Sequence, residues 1–197
     1  ELLFLKYMMD SLRPGGRCSV IVPEGVLFGS TGAHKELRRQ LIENNRVEAV
    51  LSLPGGVFQP YSGVKTSVLF FRKGGSTERV QFLHADDDGY KLDANHDTPI
   101  DADDLPGLAN VYAQRESAWA QWTGRDLAAE WGEKWWFADS ATLRANDFNL
   151  SAGRYRPMSQ AQVEHRDPRE LLDELAAIEA EIVEEIAALR AELANSQ

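Results

Sequence analysis

A single cysteine, Cys18, stands among the 197 residues. It cannot close an internal disulfide, which excludes a stapled secreted scaffold; its place in an apolar strand-like run reads as a buried, inert thiol in a reducing cytoplasm. The histidines, at positions 34, 84, 96 and 165, are scattered without ligand spacing, so no metal site follows from them. No apolar run approaches membrane-spanning length, and no signal peptide is visible. Positive charge is also scarce: 21 Lys and Arg face 31 Asp and Glu, a formal charge of -10. Non-specific DNA affinity comes largely from basic side chains displacing counterions, so a surface whose main task is coating phosphates is excluded. If this chain meets nucleic acid, something else supplies the grip. An initiator methionine is missing as well: the chain opens on Glu1 inside an apolar helical pattern, which reads as a fragment of something longer.

What is present suits a globular domain, with 43% hydrophobic residues. "LLFLKYMMDSL" has apolar residues on a helical period and stops at Arg13, Pro14, Gly15 and Gly16. "RCSVIVPEG" is a short continuous apolar run, as expected for a strand buried on both faces of a parallel sheet. "TGAHKELRRQLIENN" reads as an amphipathic helix capped by Ser30 or Thr31. "VEAVLSLP" is a second strand, "GGVFQPYSGVKT" a loop, and "SVLFFRKGG" a third strand. Strands alternating with helices imply a parallel α/β sheet, with ligands in the crevice outside the carboxyl ends of the strands. Pro23 to Phe28 and Pro54 to Thr66 both fall at such ends. The connection before the third strand is too short for a parallel crossover, so that strand should run antiparallel to its neighbour.

The stretch "SLRPGGRCSVIVPEGVLFGSTGAHKELRRQLIENNRVEAVLSLPGGVFQPYSGVKTSVLFFRKGG" resembles the second half of the catalytic domain of the modification (M) subunit of type I restriction systems, an adenine-N6 DNA methyltransferase. "NDFNLSAGRY", residues 146–155, resembles the segment that closes that family's methylase region. The resemblance implies an S-adenosylmethionine-dependent Rossmann-like sheet with an inserted antiparallel last strand. Family members also carry a glycine-rich cofactor loop and an Asn/Asp-Pro-Pro-Phe/Tyr tetrapeptide, whose oxygens hold the adenine amino group. Neither occurs in this sequence, so the fragment alone is expected to be inactive and to bind no cofactor.

A target adenine must leave the duplex, and a flipped base needs a flat apolar partner, worth roughly 1 to 3 kcal/mol on an aromatic ring. In related amino-methyltransferases one ring comes from a Gly-x-Val-Phe-like loop, which "GGVF" matches at Phe58. The resemblance therefore gives Phe58 a base-stacking role, against the alternative of a plug in the core. Tyr61 is a rival ring or a solvent-exposed loop tyrosine. Gly55 and Gly56 would let the backbone approach the base or simply turn. Lys65, beside Thr66, could meet a phosphate or only flank the strand. Glu24, after Pro23, invites a general-base reading, but the amine's proton can leave to solvent, and a local turn or capping contact is preferred. Arg38 and Arg39 read as solvated helix cations.

Three regions are expected: half of the catalytic domain over 1–75, an appended α+β region over 76–157, and a C-terminal helix over 158–197. In the middle region an aspartate-rich stretch follows one strand-like run, without the glycine and distal glutamate of a calcium loop. Trp119, Trp122, Trp131, Trp135 and Trp136 cluster after it and read as the seal of a small core rather than an interface. Arg154 and Tyr155 are expected to contact the rest of the domain. In the last region Leu171, Leu175, Ile178, Ile182, Ile186, Leu189 and Leu193 line one stripe, as in a coiled-coil seam. That stripe either packs back on its own domain or joins a partner. In the family it resembles the element that meets the specificity (S) subunit, which reads the DNA; the restriction (R) subunit completes such complexes, and pairing with a second copy is a further use of the same face. The alternative from another class is a non-catalytic assembly module built from the same sheet edge and helix.

Overall fold

A computed structural model describes residues 1–123 and 133–157. Its elements run α1 (Leu2–Ser11), β1 (Arg17–Pro23), α2 (Glu24–Phe28), α3 (Gly32–Asn44), β2 (Asn45–Ser52), β3 (Thr66–Lys73), β4 (Arg79–His84), β5 (Asp88–Tyr90), β6 (Pro99–Asp103), α4 (Leu105–Ala113), α5 (Arg115–Thr123), β7 (Trp135–Asp139) and α6 (Ser140–Ala145), followed by a short 3-10 turn at Ala152–Tyr155. Thr31 caps α3, its hydroxyl accepting from the His34 N–H. Trp131 and the stripe Leu171, Leu175, Ile178, Ile182, Ile186, Leu189 and Leu193 lie outside the described residues. No helix among the described residues is long and apolar enough to cross a membrane.

The fold is mixed α/β with a mostly antiparallel sheet in the order β1-β3-β2-β4-β7. This corrects the parallel sheet expected from the alternation of helix and strand. β3 pairs antiparallel with both β1 and β2, β7 pairs antiparallel with β4, and β2–β4 is the parallel ladder. β1 and β2 do run in the same direction, as a strand–helix–strand unit requires. They are not neighbours, because β3 enters between them. A short loop dictates that a returning strand is antiparallel; it does not dictate which side of its partner the strand takes.

A second correction follows. β1 was expected to be buried on both faces, yet it is an outer strand in which Arg17, Ser19 and Ile21 stay exposed along one side. Cys18 is accordingly half-buried rather than buried, and that burial raises its thiol pKa. The core lies where α1 and α3 cover the sheet, with Leu5, Met9, Leu37, Leu41, Ile42, Val50, Leu69 and Phe71 fully enclosed. β4 and β7 bring Val80, Phe82, Trp135, Trp136 and Phe137 into the same core, so the tryptophans that can be described seal it. The aspartate-rich stretch forms the β5–β6 hairpin, tied back by Lys134, which lies 2.6 Å from Asp104 and 3.0 Å from Asp86.

Candidate functional site

The carboxyl ends of β1 and β2 meet across β3. Pro23 pairs with Thr66, and Ser52 pairs with Ser67. The chain then turns into α2, whose first residue is Glu24; its N–H donates to the Lys65 carbonyl at 3.1 Å. The Glu24 side chain turns the same way. Its Oε1 accepts from the Ser52 hydroxyl at 3.4 Å and lies 3.5 Å from Lys65 Nζ. Glu24 thus clasps the stem of the loop over 53–65 through residues distant in sequence, in place of the local turn or capping contact preferred at the level of sequence. Lys65 is an exposed partner of Glu24. Thr66 is buried, and its hydroxyl has no hydrogen-bond partner among the described residues.

The loop itself is anchored at one end by buried Leu53 and Pro54, the Leu53 N–H donating to the Thr66 carbonyl at 3.1 Å. Beyond Pro54 its hydrogen bonds close on themselves. The Gln59 N–H donates to the Gly56 carbonyl, and the Tyr61 and Ser62 N–H groups donate to the Phe58 carbonyl, each at 2.9 Å. Gly56 sits at φ +90, a backbone state that side chains resist, so glycine is required there by the turn. Gly55 is exposed beside it. Phe58 is half-buried and is not among the side chains of the core, while Tyr61 is 94% exposed at the loop tip. The structure therefore gathers Pro23, Glu24, Lys65 and Thr66 at one point and places Phe58 and Tyr61 on the loop that springs from it.

Two contributors escaped the sequence reading. Ser52 ends β2 facing Glu24; its position at a strand's carboxyl end was the available signal. Arg38 was expected to be solvated and is instead 1% exposed. Its guanidinium donates to the carbonyls of Val26 (3.2 Å), Gly29 (2.9 Å) and Phe148 (3.1 Å), and burial lowers its pKa from the ordinary value. It thereby ties the α2 turn that follows β1 to the closing segment. The cue was spacing: Arg38 stands three and four residues before Leu41 and Ile42, on the buried stripe of α3. Arg39, one position on, does face solvent, paired with Glu36 and Glu43 at 2.8 and 2.6 Å.

The closing segment is seated by the same lock. The Leu150 N–H donates to the Leu27 carbonyl at 2.9 Å, and the Trp136 indole donates to the Ala152 carbonyl at 3.2 Å. Tyr155 stacks on Phe82 with centroids 5.0 Å apart, and its hydroxyl donates to the Asn149 carbonyl. Burial pushes that phenol up to about 12. Arg154 Nε donates to the Asn146 side-chain oxygen at 2.9 Å.

Residues 1–165 match the model of the N-6 DNA Methylase family. Among curated relatives, the type I restriction enzyme EcoEI methylase subunit of Escherichia coli is 33% identical over 182 residues, 91% of this chain and 34% of its own length. The EcoKI methylase subunit of Escherichia coli strain K12 is 31% identical over 170 residues, covering 81% of this chain and 31% of its own. The chain thus spans about a third of the curated relatives it matches. A solved structure described as the basis of complex assembly and conformational transition of the type I R-M system aligns with all of this chain and 40% of that one, at a TM-score of 0.62 and 30% identity.

Proposed function

The chain belongs to the N-6 DNA methylase family, and from that membership we propose that it supplies one wall of the active site of a site-specific DNA adenine-N6 methyltransferase, the modification subunit of a type I restriction system. One observation carries this reading: the carboxyl ends of β1 and β2 converge at Pro23, Glu24, Lys65 and Thr66, and a glycine-bearing loop presenting Phe58 hangs from that point. Carboxyl ends of sheet strands are where α/β enzymes take their ligands.

On this reading the chain's own residues receive the flipped base. Phe58 offers the ring on which the adenine stacks, recovering roughly 1 to 3 kcal/mol of the stacking lost on leaving the duplex. Tyr61 stands at the tip as a second ring. Glu24, Ser52 and Lys65 fix the stem from which the loop springs. S-adenosylmethionine supplies the methyl group in such enzymes, but the described residues contain no glycine-rich loop running directly from a strand into a helix to cradle it. We therefore assign cofactor binding and the catalytic tetrapeptide to parts of the enzyme beyond these residues, and no cofactor to this chain by itself. The specificity and restriction subunits are the partners of such a complex, with the stripe from Leu171 to Leu193 as the proposed seam for the specificity subunit or a second copy. DNA is reached through that assembly. The free Cys18 fits a cytoplasmic setting.

In an intact modification subunit carrying this chain and assembled with its partners, Phe58→Ala should lower methylation of the specific site roughly tenfold to a hundredfold, the rate equivalent of lost stacking. Cofactor affinity should stay within about twofold. Unchanged turnover removes the stacking role, and loss of the folded subunit by circular dichroism reassigns Phe58 to packing.

A further inference from the structure

At the other end of the same three strands the register sets arginines side by side. Arg17 of β1 pairs with Arg72 of β3, and Arg72 pairs in turn with Arg46 of β2. Directly paired residues of antiparallel strands project from one face with Cβ atoms about 4.5 to 5.5 Å apart, and like charges in that position repel. The sheet therefore carries two unfavourable pairs in a row.

Among the described residues, one carboxylate forms ion pairs with the row. β2 shifts register between Val47 and Ala49, and the extra residue there is Glu48, whose side chain is 3% exposed. Its Oε1 lies 3.5 Å from Arg72 and 3.2 Å from Arg115, and its Oε2 accepts from the Tyr112 hydroxyl at 3.0 Å. Glu48 is thus fully committed to Arg72, Arg115 and Tyr112. Arg17 and Arg46 are exposed and make no ion pair among the described residues. Arg72 keeps a buried Nε without a hydrogen-bond partner among them. A chain with 31 acidic residues has acids to spare for neutralising this row. That it leaves the row positive, against the local rule for strand pairing, marks the row as a feature kept for use rather than for stability.

We propose that the Arg17–Arg72–Arg46 row is a docking site for the carboxylates of an acidic protein segment. Guanidinium forks can take carboxylates bidentately, and Arg72 of the row already lies within ion-pair distance of one carboxylate oxygen, Glu48 Oε1. Nucleic acid is disfavoured by position. The row lies at the amino ends of β1 and β2, and β1 is 7 residues long, so about 20 Å of strand separates it from the carboxyl ends. A duplex engaged at those ends does not reach it. That exclusion alone rests on the active-site reading above; the anion site itself does not.

The test uses the whole 197-residue chain and two labelled probes of equal formal charge, a glutamate dodecamer peptide and a short DNA duplex, followed by fluorescence anisotropy at low and high salt. The peptide should bind, more weakly as salt rises, and the double variant Arg17→Ala/Arg46→Ala should weaken it at least tenfold. Arg39→Ala, a cation on α3 paired with its own glutamates, should change it less than twofold. Both Arg17→Ala/Arg46→Ala and the longer Arg17→Gln/Arg46→Gln should melt no lower than the wild type, since each removes repulsion. No peptide binding by the wild type, or binding undiminished in both double variants, overturns the proposal. Tighter binding of the duplex than the peptide through the same arginines also overturns it, and does so without touching the Phe58 result.

Discussion

The loop over 53–65 and the closing segment over 146–155 are both irregular, both rich in small and polar residues, and both part of the stretch that resembles a methylase. They differ in where their hydrogen bonds go. Besides bonds within itself, the closing segment makes bonds outward into the body of the protein, to Arg38, Leu27 and Trp136, and buries Leu150 and Ala152. Beyond its anchored ends the loop bonds to itself, and its ring-bearing tip faces solvent. Irregular backbone is thus no guide to rigidity. A segment opens at a cost set by the contacts that tie it to its surroundings, and by that measure the closing segment is framework and the loop is a movable part.

The contrast breaks most decisively at Arg38. Replacing it with Ala leaves the carbonyls of Val26, Gly29 and Phe148 without their donor, and the loss should reach about 3 to 5 kcal/mol in denaturant unfolding of the whole chain. A loss below about 1 kcal/mol would make the two segments equivalent. A smaller effect comes from Tyr155. Its phenol is held above its ordinary value, up to about 12, so the folded state keeps a proton that the unfolded chain gives up near 10. Stability should be complete below pH 10, fall as pH rises from about 10 to about 12, and stay reduced beyond. Tyr155→Phe should make the fall within that window shallower, the remainder belonging to Tyr112, whose burial beside Glu48 also raises its phenol pKa. The smallest effect belongs to the loop: Tyr61→Ala should change stability by no more than about 0.5 kcal/mol. A cost above about 2 kcal/mol would show that the tip is packed and erase the distinction.

Much of this was legible beforehand. Periodicity marked α1 and α3, apolar runs marked β1 to β4, and the shortness of the 53–65 connection made β3 antiparallel. The insertion of β3 between β1 and β2 was not legible, since local pattern records what a strand buries and not which strands flank it. For the same reason β1 read as enclosed: its apolar residues are those of a central strand, while its position in the sheet is outermost. At the site, Phe58, Glu24 and Lys65 stood out through resemblance and position, whereas the clasp through Ser52 required the strand register. Arg38 and Arg39 show the limit most sharply. The same residue type stands at adjacent positions, and the turn of the helix buries one and exposes the other.

The inserted strand also orders the events of folding. β2 and β3 meet at least separation at Ser52 and Ser67, 15 residues apart, whereas the corresponding pair of β1 and β3, Pro23 and Thr66, is separated by 43. Closing the longer span costs about 1 kcal/mol more in chain entropy, and β1 can find its partner only after β3 has left the ribosome. The hairpin that bears the aromatic loop can therefore form first, as a local unit, and β1 is laid against its free edge afterwards. The arginine row is assembled in the same sequence, with Arg46 brought beside Arg72 and Arg17 added last.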